Sequence, residues 1–362
     1  MRRVPAPLPS RAYDVLVGRG CLAGLGTALM RRCPGGKTVV CCDENVAALY
    51  LEQVRSSLRA SGYEVSHIVI PAGEAQKDLA RAEELYGVLY DRGLRRGDTV
   101  VALGGGVIGD LAGFVAATYQ RGVRLAQVPT TLLAQVDAAV GGKVAVDFRA
   151  GKNYVGTFYQ PWLVYIDLAT LETLPVRELH SGAAEVAKYA LLDGGELLGR
   201  VERLARGRLV AARVSETLVA ACVARKVAVV AGDEREETGA RAVLNLGHTV
   251  GHAVEAATGF SRYAHGEAVG LGLRASLWLS RRLCGMDARD EARGQALLDG
   301  LGLPRRLEAV PAAAVCELTH RDKKAGRDGV GYVLLDGLGS PRLNVRVPAE
   351  LEREAVEWLL QR

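Results

Sequence analysis

Apolar positions in the first half of the chain switch between two spacings. Residues 13–17, 37–42, 64–70, 99–103 and 124–128 are short apolar-rich runs that read as strands, while 46–60, 78–91 and 107–117 carry apolar groups at helical intervals. Strands separated by helices of this length predict a mostly parallel sheet covered on both faces, an α/β, Rossmann-like and doubly wound half. Beyond about residue 180 the pattern is mainly α-helical, with helical spacing over 183–192, 197–231, 246–257 and 264–283, extended runs at 331–335 and 343–347, and a terminal helix after about residue 350. At 362 residues the chain exceeds what one core usually holds, and the proline-punctuated stretch near 173–180 divides it into domains of 1–178 and 179–362.

One stretch of the helical half stands out. Arg241, Asn245, His248, His252 and Glu255 step by 4, 3, 4 and 3, which predicts a polar stripe along one helix. It holds two of the six histidines, and Gly247 and Gly251 beside it let another group approach closely. The expectation is a helix facing a polar cavity. Two histidines four apart also describe a hydrogen-bonded pair on a solvated face, so this stretch alone does not decide its chemistry.

Composition narrows the function. Half the chain is apolar and a quarter charged, and the net charge of +5 is spread among interspersed acids and bases, which argues against nucleic-acid binding but allows a local pocket for a small anion. Seven cysteines without a CxxC spacing, Cys41 and Cys42 adjacent within a strand, read as buried thiols of a reducing compartment. The basic, proline-rich start lacks the apolar core of a signal peptide, and no apolar run is long enough to span a membrane, so the expected location is the cytoplasm. Those first ten residues and the terminal helix point to no function.

Gly104-Gly105-Gly106-Val107-Ile108-Gly109-Asp110 satisfies GxGxxG between a strand and a helix, where glycines admit a pyrophosphate and the helix start offers free N–H groups. No acid follows at the usual distance, where Pro129-Thr130-Thr131 stands instead. Asp43, at the end of an earlier strand, is the candidate partner for a ribose. Lys77, Lys143 and Lys152 on glycine-bearing turns favour a nucleotide and a second phosphate. His180, His248, His252, His265 and His320 crowd the helical half with Glu185 and Glu267, a set suited to a three-ligand divalent metal with an open position. Spacing permits either two ligands from one helix, His248 and His252, or one from each of three segments.

These strings, with Gln127 to Asp137, Gly141-Gly142-Lys143, Gly151-Lys152-Asn153, Ala184-Glu185-Val186-Ala187-Lys188-Tyr189, Asn245-Leu246-Gly247-His248-Thr249-Val250-Gly251-His252-Ala253, His265-Gly266-Glu267 and Asp322-Lys323-Lys324, resemble the 3-dehydroquinate synthases, in order from Asp43 to Lys324. The resemblance implies conversion of 3-deoxy-D-arabino-heptulosonate 7-phosphate to 3-dehydroquinate and phosphate, with NAD+ used and regenerated within a turnover. It implies a divalent metal, Zn2+ or Co2+, on Glu185, His248 and His265, with His252 on the substrate side. By the same resemblance NAD+ meets Asp43, Asn45, Glu74, Lys77, Gly106, Val107, Ile108, Gly109, Asp110, Thr130, Thr131, Asp137, Lys143, Lys152, Thr170, Leu171, Glu172 and Thr173.

The resemblance further implies that the substrate's carboxylate and phosphate fall to Arg121, Asp137, Lys152, Asn153, Lys188, Lys226, Arg241, Asn245, His252 and Lys323, and that Lys143, Lys188, Lys226, Asn245 and His252 carry the catalytic roles. Arg121 is lent by a neighbouring subunit in that family, so a homodimer is expected. Competing readings are a sister sugar-phosphate cyclase making aminodehydroquinate, a valiolone or an inosose, a metal-dependent polyol-phosphate dehydrogenase, and a non-catalytic regulator on a decayed cyclase fold.

Overall fold

The computed structural model describes residues 1–149, 151–308, 310–321 and 331–361. The first half runs β1 (Arg2–Pro7), β2 (Ala12–Gly18), α1 (Leu25–Met30), β3 (Lys37–Asp43), α2 (Glu44–Val46), α3 (Glu52–Ala60), β4 (Glu64–Ile70), α4 (Leu79–Asp91), β5 (Thr99–Gly104), α5 (Gly106–Thr118), β6 (Arg124–Pro129), β7 (Lys143–Phe148), β8 (Gly151–Phe158) and β9 (Leu163–Asp167). There follow α6 (Val176–Asp193), α7 (Gly195–Ala205), α8 (Glu216–Gly232), α9 (His248–Ala257), α10 (His265–Leu283), α11 (Ala288–Gly300), α12 (Ala312–Arg321), β10 (Gly331–Gly337), β11 (Ser340–Arg346) and α13 (Ala349–Gln361). They form two compact units, Met1–Leu174 with Ser215–Arg235, and Pro175–Val214 with Glu236–Arg362.

The first unit is built on a seven-stranded sheet in the order β1-β2-β9-β6-β5-β3-β4, parallel except where β1 pairs antiparallel with β2. Its central strands β3, β5, β6 and β9 are apolar on both sides because both sides are covered. Along β3, Val39 and Cys41 join the core made with α4 and α5, whereas Val40 and Cys42 join the core made with α1 and α3. The adjacent cysteines therefore point to opposite faces. All seven cysteines are free thiols, and burial pushes Cys41 and Cys42 up to about 12, which leaves them inert at neutral pH.

The helices change faces between β3 and β5, neighbours in the sheet, so the connections from these two strands diverge. The carboxyl ends of such a pair open the crevice where ligands bind in doubly wound sheets. Asp43 ends β3 and Gly104 ends β5.

Three features were not legible in the periodicity. The proline-rich start forms edge strand β1, where Pro5 and Pro7 sacrifice no ladder bond that a central strand would need. The lysine-bearing turns after residue 141 are the antiparallel hairpin β7–β8, and β9 slots between β2 and β6. The helical spacing over 197–231 is broken: α7 ends at Ala205, and α8 begins at Glu216 behind Ser215, whose hydroxyl accepts the Leu218 N–H at 3.2 Å. That second helix packs on β1 and β2, so 215–235 lies with the α/β unit although its spacing matches the helical half.

The second unit packs α9, α10, α12, α13 and β10 around Val254, Leu271, Leu279, Val315, Leu334 and Val356. Two glycines bring its backbones close: a Cβ on Gly272 would stand 1.8 Å from the Gly247 carbonyl oxygen, and one on Gly266 would stand 1.8 Å from that of Ser181. The expected single stripe from Arg241 to Glu255 is corrected here. Ala240–Asn245 is a 3-10 turn, Gly247 takes φ +80, and the α-helix starts only at His248. The left-handed glycine interrupts the helix at that point, so Arg241 and Asn245 are not on the helix of the histidines. No helix among the described residues is long and apolar enough to cross a membrane.

Candidate active site

In the second unit, three elements converge on one group of ligating atoms. Glu185 lies mid-way along α6, His248 opens α9 and His265 opens α10, and their carboxylate and imidazole atoms lie within 4.8 Å of one another. Gly266 allows this, because its missing side chain lets the start of α10 rest on α6, where its N–H donates to Ser181 Oγ at 3.0 Å. Glu267 fixes the same helix start, accepting the Ala264 N–H at 2.8 Å and a bidentate pair from Arg177 at 2.9 and 2.7 Å.

The donor set fits a divalent cation. His248 Nδ1 lies 3.1 Å from the Leu246 carbonyl, which can only accept, so the proton sits on Nδ1 and the Nε2 lone pair faces Glu185 Oε1 at 3.5 Å. His265 Nδ1 faces Glu255 Oε2 at 3.2 Å, and its Nε2 lies 3.8 Å from the same Glu185 oxygen. Two nitrogen lone pairs and a carboxylate aimed at one point repel unless a cation lies among them.

Burial, then the Lys188 charge, holds His248 well below its usual range. Burial also lowers His265, but Glu185 and Glu255 outweigh it and raise that imidazole. The two carboxylates thus set negative charge against His265 that a cation bound among these groups would answer. Lys188, one turn from Glu185 and fully buried, sets its ammonium against the Glu185 carboxylate.

His252 lies a turn beyond His248 on α9, its ring centroid 5.3 Å from that of His248 and 6.1 Å from that of His265. It is absent from the Glu185 group and joins a second one, with Glu255 and His265. Arg241 is buried, with Nε 3.5 Å from Glu236 Oε1, on the 3-10 turn that also carries Asn245.

In the first unit, the turn from β5 into α5 presents the Gly106, Val107 and Ile108 N–H groups at a helix start, where intrahelical partners are lacking. Lys77 is buried beside it, its ammonium 3.0 Å from Glu74 Oε1 and 3.3 Å from Asp110 Oδ2. Burial pushes the Asp110 carboxyl up to about 6 against the pull of Lys77. Lys152 approaches the same Glu74 oxygen at 3.9 Å. Asp43 caps α2, accepting the Val46 N–H at 3.0 Å, and Asn45 is exposed just beyond it. Lys226 of α8 donates to the Asp137 carbonyl at 2.7 Å and lies 2.9 Å from its carboxylate. Lys143 is exposed at the start of β7.

Gln135, which sequence reasoning missed, joins two of the expected cofactor segments. Its buried amide donates to the Pro129 carbonyl at 3.2 Å and to Thr170 Oγ1 at 3.1 Å, tying the Thr130-Thr131 turn to the 3-10 helix of Thr170, Leu171, Glu172 and Thr173. Glu255 was missed in the same way, visible only as the last polar residue of a stripe.

Residues 67–181 match the family model described as 3-dehydroquinate synthase N-terminal, and residues 182–325 the one described as 3-dehydroquinate synthase C-terminal. The chain belongs to the 3-dehydroquinate synthase family. It is 43% identical over 326 residues to the 3-dehydroquinate synthase of Desulforamulus reducens, covering 90% of both chains, and 45% identical over 332 residues to that of Geobacter sp. strain M21, covering 91% of both. Among solved structures it resembles ValA (2-epi-5-epi-valiolone synthase) from Streptomyces hygroscopicus subsp. jinggangensis 5008 with NAD+ and Zn2+ bound, with a TM-score of 0.87 and 28% identity over 99% of each chain. An iron containing alcohol dehydrogenase shares the fold at a TM-score of 0.68 and 17% identity, over 96% of this chain and 97% of that one.

Two substrate positions expected from the 3-dehydroquinate synthase resemblance sit in strained backbone. Arg121, exposed, has φ 61 directly after Gln120 at φ 50, and Asn153 has φ 55. A non-glycine residue held there costs on the order of 1–3 kcal/mol, less for asparagine, which makes Arg121 the more strained of the two. Lys323 lies outside the described residues.

Proposed function

We infer that this member of the family is a 3-dehydroquinate synthase, a phosphorus-oxygen lyase that converts 3-deoxy-D-arabino-heptulosonate 7-phosphate to 3-dehydroquinate and phosphate. The observation that carries the reading is the convergence of Glu185, His248 and His265 with Lys188 in a chain whose relatives bear that name. NAD+ supplies a hydride acceptor that is restored within the turnover, and a divalent metal, Zn2+ or Co2+, supplies the Lewis acidity that lowers a substrate hydroxyl's pKa.

Glu185, His248 and His265 hold the metal. Gly106, Val107, Ile108, Gly109 and Asp110 receive the dinucleotide's pyrophosphate at the start of α5, with Asp43 for a ribose hydroxyl. Asn45, Glu74, Lys77, Thr130, Thr131, Asp137, Lys143, Lys152, Thr170, Leu171, Glu172 and Thr173 complete the cofactor's contacts. Arg121, Asp137, Lys152, Asn153, Lys188, Lys226, Arg241, Asn245, His252 and Lys323 orient the substrate.

A substrate with a carboxylate and a phosphate needs several cations, and their number explains why buried lysines are tolerated: Lys188 and Lys226 are each held by a carboxylate until an anion arrives. Once a ketone acidifies the neighbouring C–H, orientation of the departing phosphate is the protein's main task in the elimination. The working form is a cytoplasmic homodimer in which Arg121 serves the partner's site.

The nearest competing product is aminodehydroquinate, whose precursor keeps the carboxylate; relatives at 43% and 45% identity named 3-dehydroquinate synthase favour the oxygen compound. Metal-loaded protein with NAD+ and the heptulosonate phosphate should release phosphate and form dehydroquinate. Turnover of a heptulose 7-phosphate lacking the carboxylate, with none of the heptulosonate, would overturn this reading in favour of a sister cyclase.

A further inference from the structure

Two overlapping groups of ligating atoms meet at His265, one with Glu185 and His248, the other with His252 and Glu255. The ring gives one nitrogen to each: Nε2 lies 3.8 Å from Glu185 Oε1, and Nδ1 lies 3.2 Å from Glu255 Oε2. A single metal ion cannot take both nitrogens of one imidazole. Either the second group binds separately, or its carboxylate acts through the ring.

Glu255 is 5% exposed and sits one face-turn beyond His248 and His252 on α9. A carboxylate is seldom buried unless a strong donor or cation meets it. Its place is rigid as well, because its backbone carbonyl accepts the Phe260 N–H at 2.8 Å and the Thr258 hydroxyl at 3.1 Å, closing the end of α9. The ring it faces is equally fixed, since His265 is the first residue of an α10 capped by Glu267.

We propose that Glu255 is a positioning residue for the metal centre. Its carboxylate accepts the Nδ1–H of His265, which fixes the tautomer and the ring plane, turns the Nε2 lone pair toward Glu185 and His248, and strengthens that nitrogen as a donor. His248 receives the same orientation from a neutral group, the Leu246 carbonyl. The two imidazoles are therefore unequal ligands, with His265 the more basic. This rests on the metal reading given above.

The test is Zn2+ affinity by chelator competition, metal content per chain and the visible spectrum of the Co2+ form, for the unaltered chain and for Glu255→Gln. One metal per chain is expected in both, bound roughly 10–100-fold more weakly in Glu255→Gln, with a shifted Co2+ absorption and a metal-free melting temperature near that of the parent. Equal affinity and an unchanged spectrum would overturn the proposal. Two metals in the parent and one in Glu255→Gln would make Glu255 a ligand and overturn it too. Should Glu255→Gln fail to fold, Glu255→Asp, which keeps the charge but retracts it by one methylene, is read in the same titration and must also weaken binding. A parent chain that takes up no metal defeats the metal reading itself, an outcome distinct from the others.

Discussion

At the scale of single residues, chemistry-bearing types were easy to find and their partners were not. Glu185, His248 and His265 are 80 positions apart from first to last, and spacing alone left His248 with His252 as an equally open ligand pair. The difference lies in which ring nitrogens can point inward, and that is set by Leu246 and Glu255, groups without a sequence signature. We expect His265→Ala to lose metal and activity together, while His252→Ala retains most of the metal; equal metal loss in both, measured after dialysis, would place the ion in the His252 group.

A second residue-scale expectation concerns pH. The Arg293 guanidinium, 3.0 Å from Glu202 Oε2, holds that carboxyl below its usual range, helped by Arg206 and Arg203 and opposed by partial burial. A carboxylate with a depressed native pKa adds stability above its unfolded value of about 4.3, and loses it as pH falls through the native value. Glu202→Gln should therefore lower the melting temperature at neutral pH by the equivalent of about 0.2–1 kcal/mol, and the gap from the parent should close in acid. A gap that persists below that range would assign the effect to packing.

At the scale of elements, periodicity gave β2 to β6 and the helices α3, α4 and α5 between them, where alternation is enforced by burial, but not β1 or β9. It failed where backbone conformation overrides spacing. The polar stripe from Arg241 to Glu255 keeps helical intervals across a break at Gly247, and nothing in the 4-3-4-3 spacing reveals the left-handed φ. It failed again over 197–231, where apolar spacing persists although the two helices pack in different units.

Other glycines, Gly266 and Gly272, bring together the helices that carry the metal cluster. Gly272→Ala would drive a Cβ into the Gly247 carbonyl and force α9 from α10. The expected cost is at least the roughly 1–3 kcal/mol of an overpacked core, read as a lower denaturation midpoint, together with weaker metal binding. Gly199→Ala, whose nearest neighbour is the far end of Arg203 at 3.7 Å, should be near neutral or slightly stabilising. If both substitutions cost the same, close backbone approach is not what requires Gly272.

At the scale of the whole molecule, the division of labour was legible and the path of the chain was not. An α/β half with a glycine turn and a helical half with the histidines follow from patterning. The return of α8 to the first unit, which brings Lys226 to Asp137, does not, because a helix bears no mark of the surface it will cover. The alcohol dehydrogenase likeness shows why fold alone cannot choose the reaction, and a dehydrogenase and a cyclase differ in the fate of the hydride.

That difference gives the most direct measurement of the central claim. Metal-loaded protein is supplied with NAD+ at the protein's own concentration and a large excess of 3-deoxy-D-arabino-heptulosonate 7-phosphate, and phosphate and reduced nicotinamide are followed together. We expect phosphate released over many turnovers, one per dehydroquinate formed, with no net accumulation of NADH. Reaction that stops after one equivalent of NADH, or NADH formed without phosphate, would contradict it.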